Sequence, residues 1–388
     1  MDERERSRNG GASARAAADL LVAGGGLIGL ACALEAARSG FDTIVVDAEA
    51  GERASEVAAG MIAPVGEASW GEDALLAAGL DSASRWPSFA ATLEELSGER
   101  VGYRRCGALH VGLDRDEVAE LRRVHELHRS LGLESEWLAA GACRRLEPGL
   151  STDVAGGFSA PGEAEVDPRR VLAALRVACE RAGVAVRAGR VASLRRGGLS
   201  GIEGAELEDG TKLHAQRVLL ATGARLADLA PAGLAPVRPV KGEVVRLRAR
   251  PGEDPCERII ASERVYVVPR ESGEVVIGAT VEDRGFDTTV TAGGVHELLR
   301  EAYRAVPEIA ELELVGCEAG LRPSTPDNAP VIGSAGCDGL LIAGGHHRNG
   351  VLLTPFTAAA VGSLLRGNAP PEAAVALAPE RFAGGVRA

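Results

Sequence analysis

The stretch GGGLIG at residues 24–29 decides the fold of this 388-residue chain. An apolar run precedes it and a helical pattern over residues 28–38 follows it, so the sequence predicts a strand, a tight turn and a helix. Such a unit binds a dinucleotide pyrophosphate, because backbone N–H groups and the positive end of the helix face the anion. We expect Gly24 to form the turn, Gly26 to let the phosphates approach, and Gly29 to let the helix pack closely on the strand.

A second strand and an acidic residue complete the nucleotide-binding pattern. Residues 43–46 read TIVV, and Asp47 follows them, 18 residues beyond Gly29. A carboxylate at this distance accepts hydrogen bonds from ribose hydroxyls. A lone glycine motif is often only a glycine-rich turn, but the strand context and the acid favour dinucleotide binding over that alternative.

Composition and charge argue against several classes of protein. The formal net charge of −12 disfavours a nucleic-acid partner, since phosphate binding needs concentrated positive charge. The 46% hydrophobic content suffices for a large core, whereas the apolar run at residues 27–37 is too short to span a bilayer. We therefore predict a globular protein that binds neither nucleic acid nor membrane, and the sequence leaves open whether it forms a homo-oligomer.

Cysteines and histidines give no sign of a disulfide framework or a metal site. The seven cysteines are scattered, odd in number and without a C-x-x-C pair, which predicts reduced thiols and a cytoplasmic location. His125 and His128 have no further ligands at metal spacing, so we predict no metal and assign both to a solvated helix face. Residues 1–18 mix opposite charges with glycine and serine and are expected to form a disordered tail.

Further elements follow from periodicity and turn signals. Helices are predicted at residues 72–96 (interrupted by Pro87), 116–131, 168–183, 291–305 and 351–365. Strands are predicted at residues 103–113, 184–186, 189–194, 218–220, 243–247, 265–268, 275–277 and 339–345, with a hairpin over 203–213. The strand, glycines and helix at the far end resemble the opening motif, so the chain is expected to fold back onto its first domain.

Six segments together resemble the flavin-dependent D-amino-acid oxidase superfamily, in the order in which that family has them. They are GGGLIG at 24–29, AAGMIAP at 58–64, YVVPR at 266–270, VVIGAT at 275–280, AGLRPSTPDNAPVIG at 319–333 and AGGHHRNGVLLTP at 343–355. Within the superfamily the sequence is most similar to the glycine oxidases of thiamine biosynthesis. The resemblance covers nearly all of the chain after residue 18.

The resemblance implies a fold and a division into domains. The fold class is α/β, with a Rossmann-like FAD-binding domain of the glutathione-reductase type and a strand-rich α+β substrate domain, both discontinuous. The FAD-binding domain is expected at residues 19–90, 150–235 and 317–370. The substrate domain is expected at residues 91–149 and 236–316.

The resemblance also implies an activity. FAD would oxidise glycine, or other small or N-alkyl amino acids, to the imine, and oxygen would be reduced to hydrogen peroxide, for the thiazole branch of thiamine biosynthesis. Sarcosine oxidases attach their flavin to a cysteine, and Gly320 occupies the matching position here, with Cys317 three residues away. We therefore predict non-covalent FAD.

Residues that match the family's FAD contacts can be assigned one by one. Asp47 is shorter than the glutamate that the family usually has at the ribose, and Thr222 and Gly223 close an apolar strand where backbone could meet the cofactor. The full set of matched contacts is Leu27, Ile28, Asp47, Ala48, Ser55, Ala59, Gly60, Met61, Val191, His346, His347, Arg348, Asn349, Gly350, Val351 and Leu352.

Arg322 is the main candidate for binding the substrate. Almost all basic residues of the chain are arginines, so an arginine needs a context beyond its identity. Arg322 lies in a small, apolar segment and precedes Pro323, a setting that a solvated arginine does not need. A guanidinium binds a carboxylate through two parallel hydrogen bonds. The alternative is an ion pair with Asp327 that holds the loop; the family match favours the substrate.

Three more residues are assigned to the substrate site. Arg348 is expected at a strand-to-helix junction, where a charge that assists the flavin or caps the helix is an equally good interpretation. Tyr266 would offer its hydroxyl to the same carboxylate, and Met61 would line the cavity. Val281 stands where glycine oxidases often carry a larger apolar residue, which would widen the cavity. No general base is assigned, since positioning can support hydride abstraction.

Other functions compatible with the motifs remain open at this point. A D-amino-acid or sarcosine-type oxidase or dehydrogenase would share most of the residues. A nicotinamide dehydrogenase would share the glycine turn, and a flavin-dependent tRNA-modifying oxidase has a related domain, although the acidic charge disfavours it. The sequence does not decide the electron acceptor or whether the product passes to a thiazole synthase.

Overall fold

A computed structural model describes residues 17–48, 53–198 and 201–383 of the chain. Residues 1–16 of the predicted tail lie outside the described residues. Ala18, the last residue assigned to that tail, already begins the first strand.

The described residues alternate between strands and helices. The strands are β1 (Ala18–Ala23), β2 (Thr43–Asp47), β3 (Met61–Ile62), β4 (Ala108–Gly112), β5 (Glu136–Ala139), β6 (Gly156–Ala160), β7 (Ala164–Glu165), β8 (Ala185–Ala188), β9 (Val191–Gly197), β10 (Gly201–Leu207), β11 (Lys212–Leu220), β12 (Arg238–Arg248), β13 (Ile259–Ala261), β14 (Tyr266–Pro269), β15 (Glu274–Gly278), β16 (Glu313–Ser324), β17 (Val331–Ser334) and β18 (Leu340–Gly344). The helices are α1 (Leu27–Arg38), α2 (Ala54–Val57), α3 (Asp73–Ser97), α4 (Arg115–Ser130), α5 (Ala140–Leu146), α6 (Pro168–Arg181), α7 (Leu226–Leu229), α8 (Ala292–Ala305), α9 (Thr354–Leu365) and α10 (Glu372–Val375).

The first sheet carries the glycine motif and has the strand order β17-β18-β11-β1-β2-β8. Its pairs are parallel apart from the edge strand β17, and β9 and β10 extend β11 as an antiparallel meander. Leu20 and Val22 of β1 pack in one core cluster with α1, α3, α6 and α9, whereas Leu21 and Ala23 face the cluster beneath the meander. This two-sided burial explains why β1 reads as a continuous apolar run.

The second sheet has the strand order β16-β12-β15-β14-β13-β4-β6-β5 and is antiparallel except between β13 and β4. Helix α8 packs on β12 and β15, and α4 packs on β4 and β6. A separate apolar cluster, drawn from β4, β12, β14, β15 and α8, fills this side of the molecule. The α/β class with a second, strand-rich part is therefore confirmed.

The two sheets do not follow the predicted domain limits at residues 150 and 317. Strand β6, assigned to the FAD-binding domain, pairs with β4 and β5 in the second sheet. Strand β16 starts before residue 317 and pairs along its length with β12. Neither strand is evident from the sequence, because β6 reads GGFSA and β16 carries several charged and glycine residues that disfavour strands.

Several predicted elements change length in the structure. The predicted strand at 103–113 shrinks to β4. The first arm of the predicted hairpin is β10, and its second arm is continuous with the apolar run at 218–220 in the single strand β11. Helix α9 begins at Thr354 rather than at residue 351, after a 3₁₀ turn at His347–Asn349. Helix α3 continues through Pro87, which is contrary to the predicted interruption. Tertiary contacts hold it there: Trp86 Nε1 donates to the carbonyl of Leu352 at 2.9 Å.

The assignment of His128 to a solvated helix face is wrong. Helix α4 packs over β4 and β6, so His128 is fully buried and meets the ring of Phe158 edge-on at 4.9 Å. Its Nδ1 lies 3.1 Å from the hydroxyl of Ser135. Burial lowers the pKa of His128 to about 4, and the neighbouring His110 and His125 add to the shift. His125 is half-buried on the same helix.

Thiols, metal ligands and hydropathy add three general findings. All seven cysteines are free, and burial raises the pKa of Cys179 to about 12. Within residues 17–48, 53–198 and 201–383, no three histidine, cysteine or acidic side chains group as metal ligands. Over the same ranges no helix combines the length and the apolar character needed to traverse a bilayer.

Candidate active site

Two cavities meet between the sheets. The glycine-turn cavity, of about 230 Å³, lies at the carboxyl ends of β1 and β2, and the sheet cavity, of about 370 Å³, lies over β12 to β15. Residues lining both are Ala54, Ala58, His347, Arg348 and Val351. The carboxyl ends of parallel strands are where open α/β sheets bind ligands.

The glycine turn owes its shape to missing side chains. Gly24 has a φ of +113°, and a Cβ at this position would lie 2.3 Å from the carbonyl oxygen of Ala221. A Cβ at Gly29 would lie 1.9 Å from the carbonyl oxygen of Gly24, so helix α1 could not pack where it does. Gly26 is open to the cavity, with only Ser55 Oγ, at 3.4 Å, near a Cβ built there.

The amino end of helix α1 points into the glycine-turn cavity. Gly26, the N-cap residue of the helix, has no side chain that could cap it. Leu27 and Ile28 line the cavity. The N–H of Leu27 donates to Ser55 Oγ at 3.3 Å. This arrangement is an anion cradle, because free helix N–H groups and the helix dipole face the same space.

Asp47 stands at the tip of β2 but already has partners. Its Oδ2 accepts from Arg53 Nη2 at 2.8 Å and lies 3.6 Å from Arg176 Nη2. Arg53 also lines the glycine-turn cavity, and sequence reasoning missed it because single arginines carry little information in this chain. The carboxylate is thus held in place at the cavity wall.

The predicted FAD contacts divide between the two cavities, except Gly29, which lines neither and packs against Gly24. Those lining the glycine-turn cavity are Gly24, Gly26, Leu27, Ile28, Asp47, Ala48, Ser55, Val191, Thr222, Gly223, His346, His347, Arg348, Gly350 and Val351. Those lining the sheet cavity are Ala59, Gly60, Met61, His347, Arg348, Asn349, Val351 and Leu352. Thr222 Oγ1 is buried and has no hydrogen-bond partner among the described residues, which fits a polar ligand in the cavity.

Two adjacent histidines line the glycine-turn cavity, and His347 also reaches the sheet cavity. Burial lowers the pKa of His346 to about 3, and its Nε2 lies 3.0 Å from Thr357 Oγ1. Burial, followed by the charges of Arg322, Arg348 and Arg238, lowers the pKa of His347 to about 4. His347 also has a φ of +46°, which non-glycine residues rarely adopt, and its buried Nδ1 has no partner in the described ranges. Both imidazoles are therefore neutral at pH 7.

Arg322 enters the sheet cavity from β16. Its Nη1 donates to the carbonyl of Thr280 at 2.9 Å and lies 3.5 Å from the carbonyl of Lys241. The guanidinium lies over Gly242, where a Cβ would come within 2.5 Å of its Cζ. The alternative partner Asp327 is paired with Arg381 at 2.8 Å instead. Among the described residues, Arg322 forms no ion pair.

Tyr266 lies beside Arg322 on the same wall of the sheet cavity. It is opposite Gly278 in the register of β14 and β15, and a Cβ on that glycine would lie 2.4 Å from the phenol oxygen. Burial raises the pKa of Tyr266 and outweighs the opposing effect of Arg322. A neutral hydroxyl and a guanidinium therefore face the same space, which suits a carboxylate.

The guanidinium of Arg348, unlike that of Arg322, is engaged by acidic side chains. Its Nε pairs with the carboxylate of Glu67, and its Nη2 is 4.0 Å from that of Glu72. Its Nη2 also donates to the carbonyl of Glu67 at 3.4 Å. This geometry favours the interpretation of Arg348 as a charge that holds the junction together. Val281 is exposed at the edge of the sheet cavity.

A buried ion-pair network, which sequence reasoning missed, supports Arg322. Lys241 Nζ lies 2.7 Å from Glu243 Oε1 and 3.4 Å from Glu282 Oε2. Thr280 Oγ1 donates to Glu282 Oε1 at 2.8 Å, so the network fixes the segment whose carbonyl accepts from Arg322. Lys241 is one of only two lysines in the sequence, and this was the signal available beforehand.

Comparisons with known proteins agree with this geometry. The family model for FAD dependent oxidoreductases matches residues 19–364. The glycine oxidase of Geobacillus kaustophilus is 34% identical over 89% of this chain and 92% of its own length. A crystal structure of glycine oxidase from Geobacillus kaustophilus gives a TM-score of 0.87 at 31% identity, over 94% of this chain and 98% of that one.

A fused relative shows the same similarity over part of its length. The bifunctional protein ThiO/ThiG of Trichormus variabilis is 34% identical over 89% of this chain but only 52% of its own length. This chain therefore spans about half the length of that relative.

The chain belongs to the FAD dependent oxidoreductase family, and FAD is its cofactor. The residues present fit this group: the glycine cradle, the open amino end of α1 and the unpartnered Thr222 hydroxyl all face the glycine-turn cavity. The predicted similarity to glycine oxidases is confirmed by these relatives.

Proposed function

We propose that this chain oxidises glycine to its imine, with transfer of the electrons to oxygen and formation of hydrogen peroxide, in the cytoplasm and for the thiazole branch of thiamine biosynthesis. The names of the relatives, glycine oxidase and ThiO/ThiG, support this function. The seven free cysteines are consistent with a reducing compartment. Small N-alkyl glycines are further candidate substrates, because Val281 and the large sheet cavity leave room beyond glycine.

The single observation that carries the proposal is the guanidinium of Arg322. It faces a cavity, forms no ion pair among the described residues, and is aimed by the carbonyl of Thr280. A charged group in such a place needs an anionic partner, since an unpaired charge removed from water is costly. The carboxylate of an amino acid, held by Arg322 and the hydroxyl of Tyr266, supplies that partner.

FAD would be held by the glycine-turn cavity, with Gly26, Leu27 and Ile28 at its pyrophosphate and Asp47 near its ribose. When bound, FAD supplies an acceptor for hydride from the substrate's Cα. His347, Arg348 and residues 58–61 line the junction where the two ligands would meet. The proposed roles of these residues rest on their position at the cavity walls and on the family match.

Positioning is the main contribution that we propose for the protein. Arg322 and Tyr266 would fix the carboxylate end, and the neutral His347 next to them adds no charge that would repel an ammonium group. A fixed orientation is worth several orders of magnitude in rate without any proton transfer. We therefore propose no general base.

Non-covalent attachment of FAD is supported by the register of β16. Gly320 faces Val57 of α2, with its hypothetical Cβ 3.1 Å away, on the side of the sheet cavity. Cys317, three residues earlier, packs against the apolar cluster on the opposite side of the sheet. Its thiol pKa is raised by burial, which further disfavours attack on a flavin.

The test is Arg322→Ala, assayed by peroxide formation from glycine and by the visible spectrum of the FAD-loaded protein. We expect the KM for glycine to rise roughly 100-fold, since about 3 kcal/mol of charge-assisted hydrogen bonding is lost. The protein should stay yellow, because Arg322 does not line the glycine-turn cavity. Arg123→Ala, on the exposed face of α4, is the matched control and should change neither value. An unchanged KM for Arg322→Ala would contradict the proposal.

A further inference from the structure

The end of the sheet cavity away from Arg322 contains a buried carboxylate that the proposed reaction does not use. Glu163 is 1% exposed and lines this cavity. Its Oε1 accepts from the N–H of Gly66 at 2.5 Å, but its Oε2 accepts no hydrogen bond from any described residue. A buried acceptor without a donor is costly, and it indicates a ligand whenever it faces a cavity.

His110 is the only cationic or titratable partner of Glu163 among the described residues. Its Nε2 lies 3.9 Å from Glu163 Oε2, beyond hydrogen-bond distance. Its ring is fixed by stacking on Phe158, with 4.5 Å between the ring centres. Gly66 closes over the pair, and a Cβ there would lie 2.1 Å from His110 Nε2. The two side chains therefore form a preorganised, rigid acidic end of the cavity.

Strand register gives the separation between this acidic end and the carboxylate-binding end. His110 is opposite Ala261, Ala261 is opposite Tyr266, and Tyr266 is opposite Gly278. Residues opposite each other on neighbouring strands share a face, and all four line the sheet cavity. Adjacent strands are about 4.8 Å apart, so His110 lies about 10 Å from Tyr266 along the sheet. Ala261, between them, leaves the path open.

The sheet cavity is thus bipolar, with Arg322 and Tyr266 at one end and Glu163 and His110 at the other. Glycine is too short to reach both ends. A ligand that carries a carboxylate and, several atoms further on, a positively charged amine would satisfy the guanidinium and the unpartnered Glu163 oxygen together. An apolar chain of the same length would leave Glu163 desolvated and its Oε2 still without a donor.

We propose that Glu163 and His110 form a subsite for the cationic end of an amino-acid substrate longer than glycine, such as a glycine whose nitrogen or side chain bears a distal primary amine. This inference rests on the proposed function only in that Arg322 binds the carboxylate. The ligand class follows from the charge, burial and spacing of the two ends, and glycine remains a substrate that uses one end alone.

Matched pairs of ligands test the subsite on the FAD-loaded protein. The probes are 4-aminobutanoate with pentanoate, 5-aminopentanoate with hexanoate, and 6-aminohexanoate with heptanoate, which differ only in a terminal ammonium or methyl group. We expect the amine to bind about tenfold more tightly than its partner at one of these lengths, measured by titration calorimetry. No preference for the amine at any length would overturn the proposal.

Substitutions of two acidic residues test which carboxylate causes the preference for the amine ligands. Glu163→Gln keeps an oxygen for the N–H of Gly66 but removes the charge, and the ratio of the two dissociation constants should fall close to one. Glu263→Gln is the matched control, since Glu263 is an exposed acid at the mouth of the same cavity, and the ratio should persist. A ratio that survives Glu163→Gln, or that Glu263→Gln abolishes, would overturn the assignment to Glu163.

The substrate pair N-(4-aminobutyl)glycine and N-pentylglycine extends the test to turnover. The first should show the higher kcat/KM in the unmodified protein, and Glu163→Gln should remove that advantage. Glycine, assayed on the same preparation, reports on the proposed function separately. Binding preference without glycine oxidation would reject the proposed function and keep the subsite, whereas glycine oxidation without any amine preference would reject the subsite alone.

Discussion

The glycine-turn cavity and the sheet cavity meet at the same five residues but are built in different ways. The first is made mainly from backbone and absent side chains, within short segments such as residues 24–29. The second is made from charged and polar side chains on strands far apart in sequence, from His110 on β4 to Arg322 on β16. On the proposed function, the cofactor shared by the family would be bound by local geometry, whereas the substrate would be bound by a few converging charges.

This difference sets what each cavity can tolerate. At Gly24 and Gly29 of the glycine turn any side chain is too large, since a Cβ at either position would overlap a carbonyl oxygen. In the sheet cavity the volume is ample, and the constraint is the partner of each charge. Arg322 is free of acids in the described ranges, while Arg348, only 26 residues later, is engaged by Glu67.

The largest effect is expected for Gly29→Ala, which tests whether backbone geometry defines the glycine-turn cavity. Its added Cβ would lie 1.9 Å from the carbonyl oxygen of Gly24, so α1 must move away from β1 and the anion cradle is lost. We expect no FAD to remain bound after gel filtration, measured by the visible spectrum.

Gly293→Ala is the control for the Gly29 substitution. Gly293 lies in helix α8, and nothing lies within 4 Å of a Cβ built there. Alanine should stabilise this helix by about 0.5–1 kcal/mol and leave the protein yellow. A yellow Gly29→Ala protein with normal FAD content would mean that backbone geometry does not define the first cavity.

Lys241→Met tests the sheet cavity through its buried charges. The substitution leaves Glu243, which is fully buried, without its cation, and should lower the free energy of unfolding by about 3–5 kcal/mol. The segment at residues 278–282 should also loosen, so the KM for glycine rises about tenfold as Arg322 loses its fixed aim.

The KM and the stability change are measured on the same Lys241→Met protein, together with its FAD content. FAD content should be unchanged, because Lys241 does not line the glycine-turn cavity. Lys212→Met is the control on an exposed lysine and should stay within about 0.5 kcal/mol of the original stability. A drop in stability with an unaltered KM would leave Lys241 a purely structural residue.

A smaller expected effect is the pH dependence of the unfolding free energy that arises from the buried His128. Burial lowers the pKa of His128 to about 4, whereas the unfolded chain titrates near its ordinary value of about 6.5. Below pH 6.5 the unfolded state binds more protons, so the contribution of neutral His128 is complete above that pH. It is lost as the pH falls towards 4, by at most about 1.4 kcal/mol per pH unit.

Urea unfolding of His128→Gln between pH 7.5 and 4.5 checks this effect. The variant should show a flatter decline of the unfolding free energy below pH 6.5 than the unmodified protein. His296→Gln, on the exposed side of α8, should follow the unmodified curve. Equal slopes for His128→Gln and the unmodified protein would contradict the assignment of a buried neutral imidazole.

Sequence reasoning succeeded where the signal is local. The helix after the glycine turn was predicted within one residue of its observed bounds, and the apolar run at residues 20–23 lies within the observed strand Ala18–Ala23, because propensity, glycine placement and apolar periodicity all act within a few positions. The convergence of Arg322 and Tyr266 came instead from the resemblance to a family, since nothing local joins β16 to β14. Strand β6 was not predicted because its glycines and serine do not favour a strand by themselves. It forms because β4 and β5 pair with it on both sides.

Contacts between distant segments were the part that sequence could not supply. The partner of Arg348 is Glu67, the support for Arg322 is Lys241 with Glu282, and neither pairing has a spacing that could be read in advance. Burial of His128 depends on how α4 is laid over the second sheet. Each of these depends on strand order and on which face a helix turns inward.

The amino-acid sequence by itself determined a dinucleotide-binding α/β chain with a glycine turn, because the positive φ of Gly24 and the exclusion of a Cβ at Gly29 by the carbonyl of Gly24 act between near neighbours along the chain. Only the tertiary structure decided that, among the described residues, Arg322 faces the sheet cavity without an acidic partner and that the buried Oε2 of Glu163 has no donor. Charge pairing is settled by distances of a few ångströms across strands, and those distances exist only once both sheets have formed.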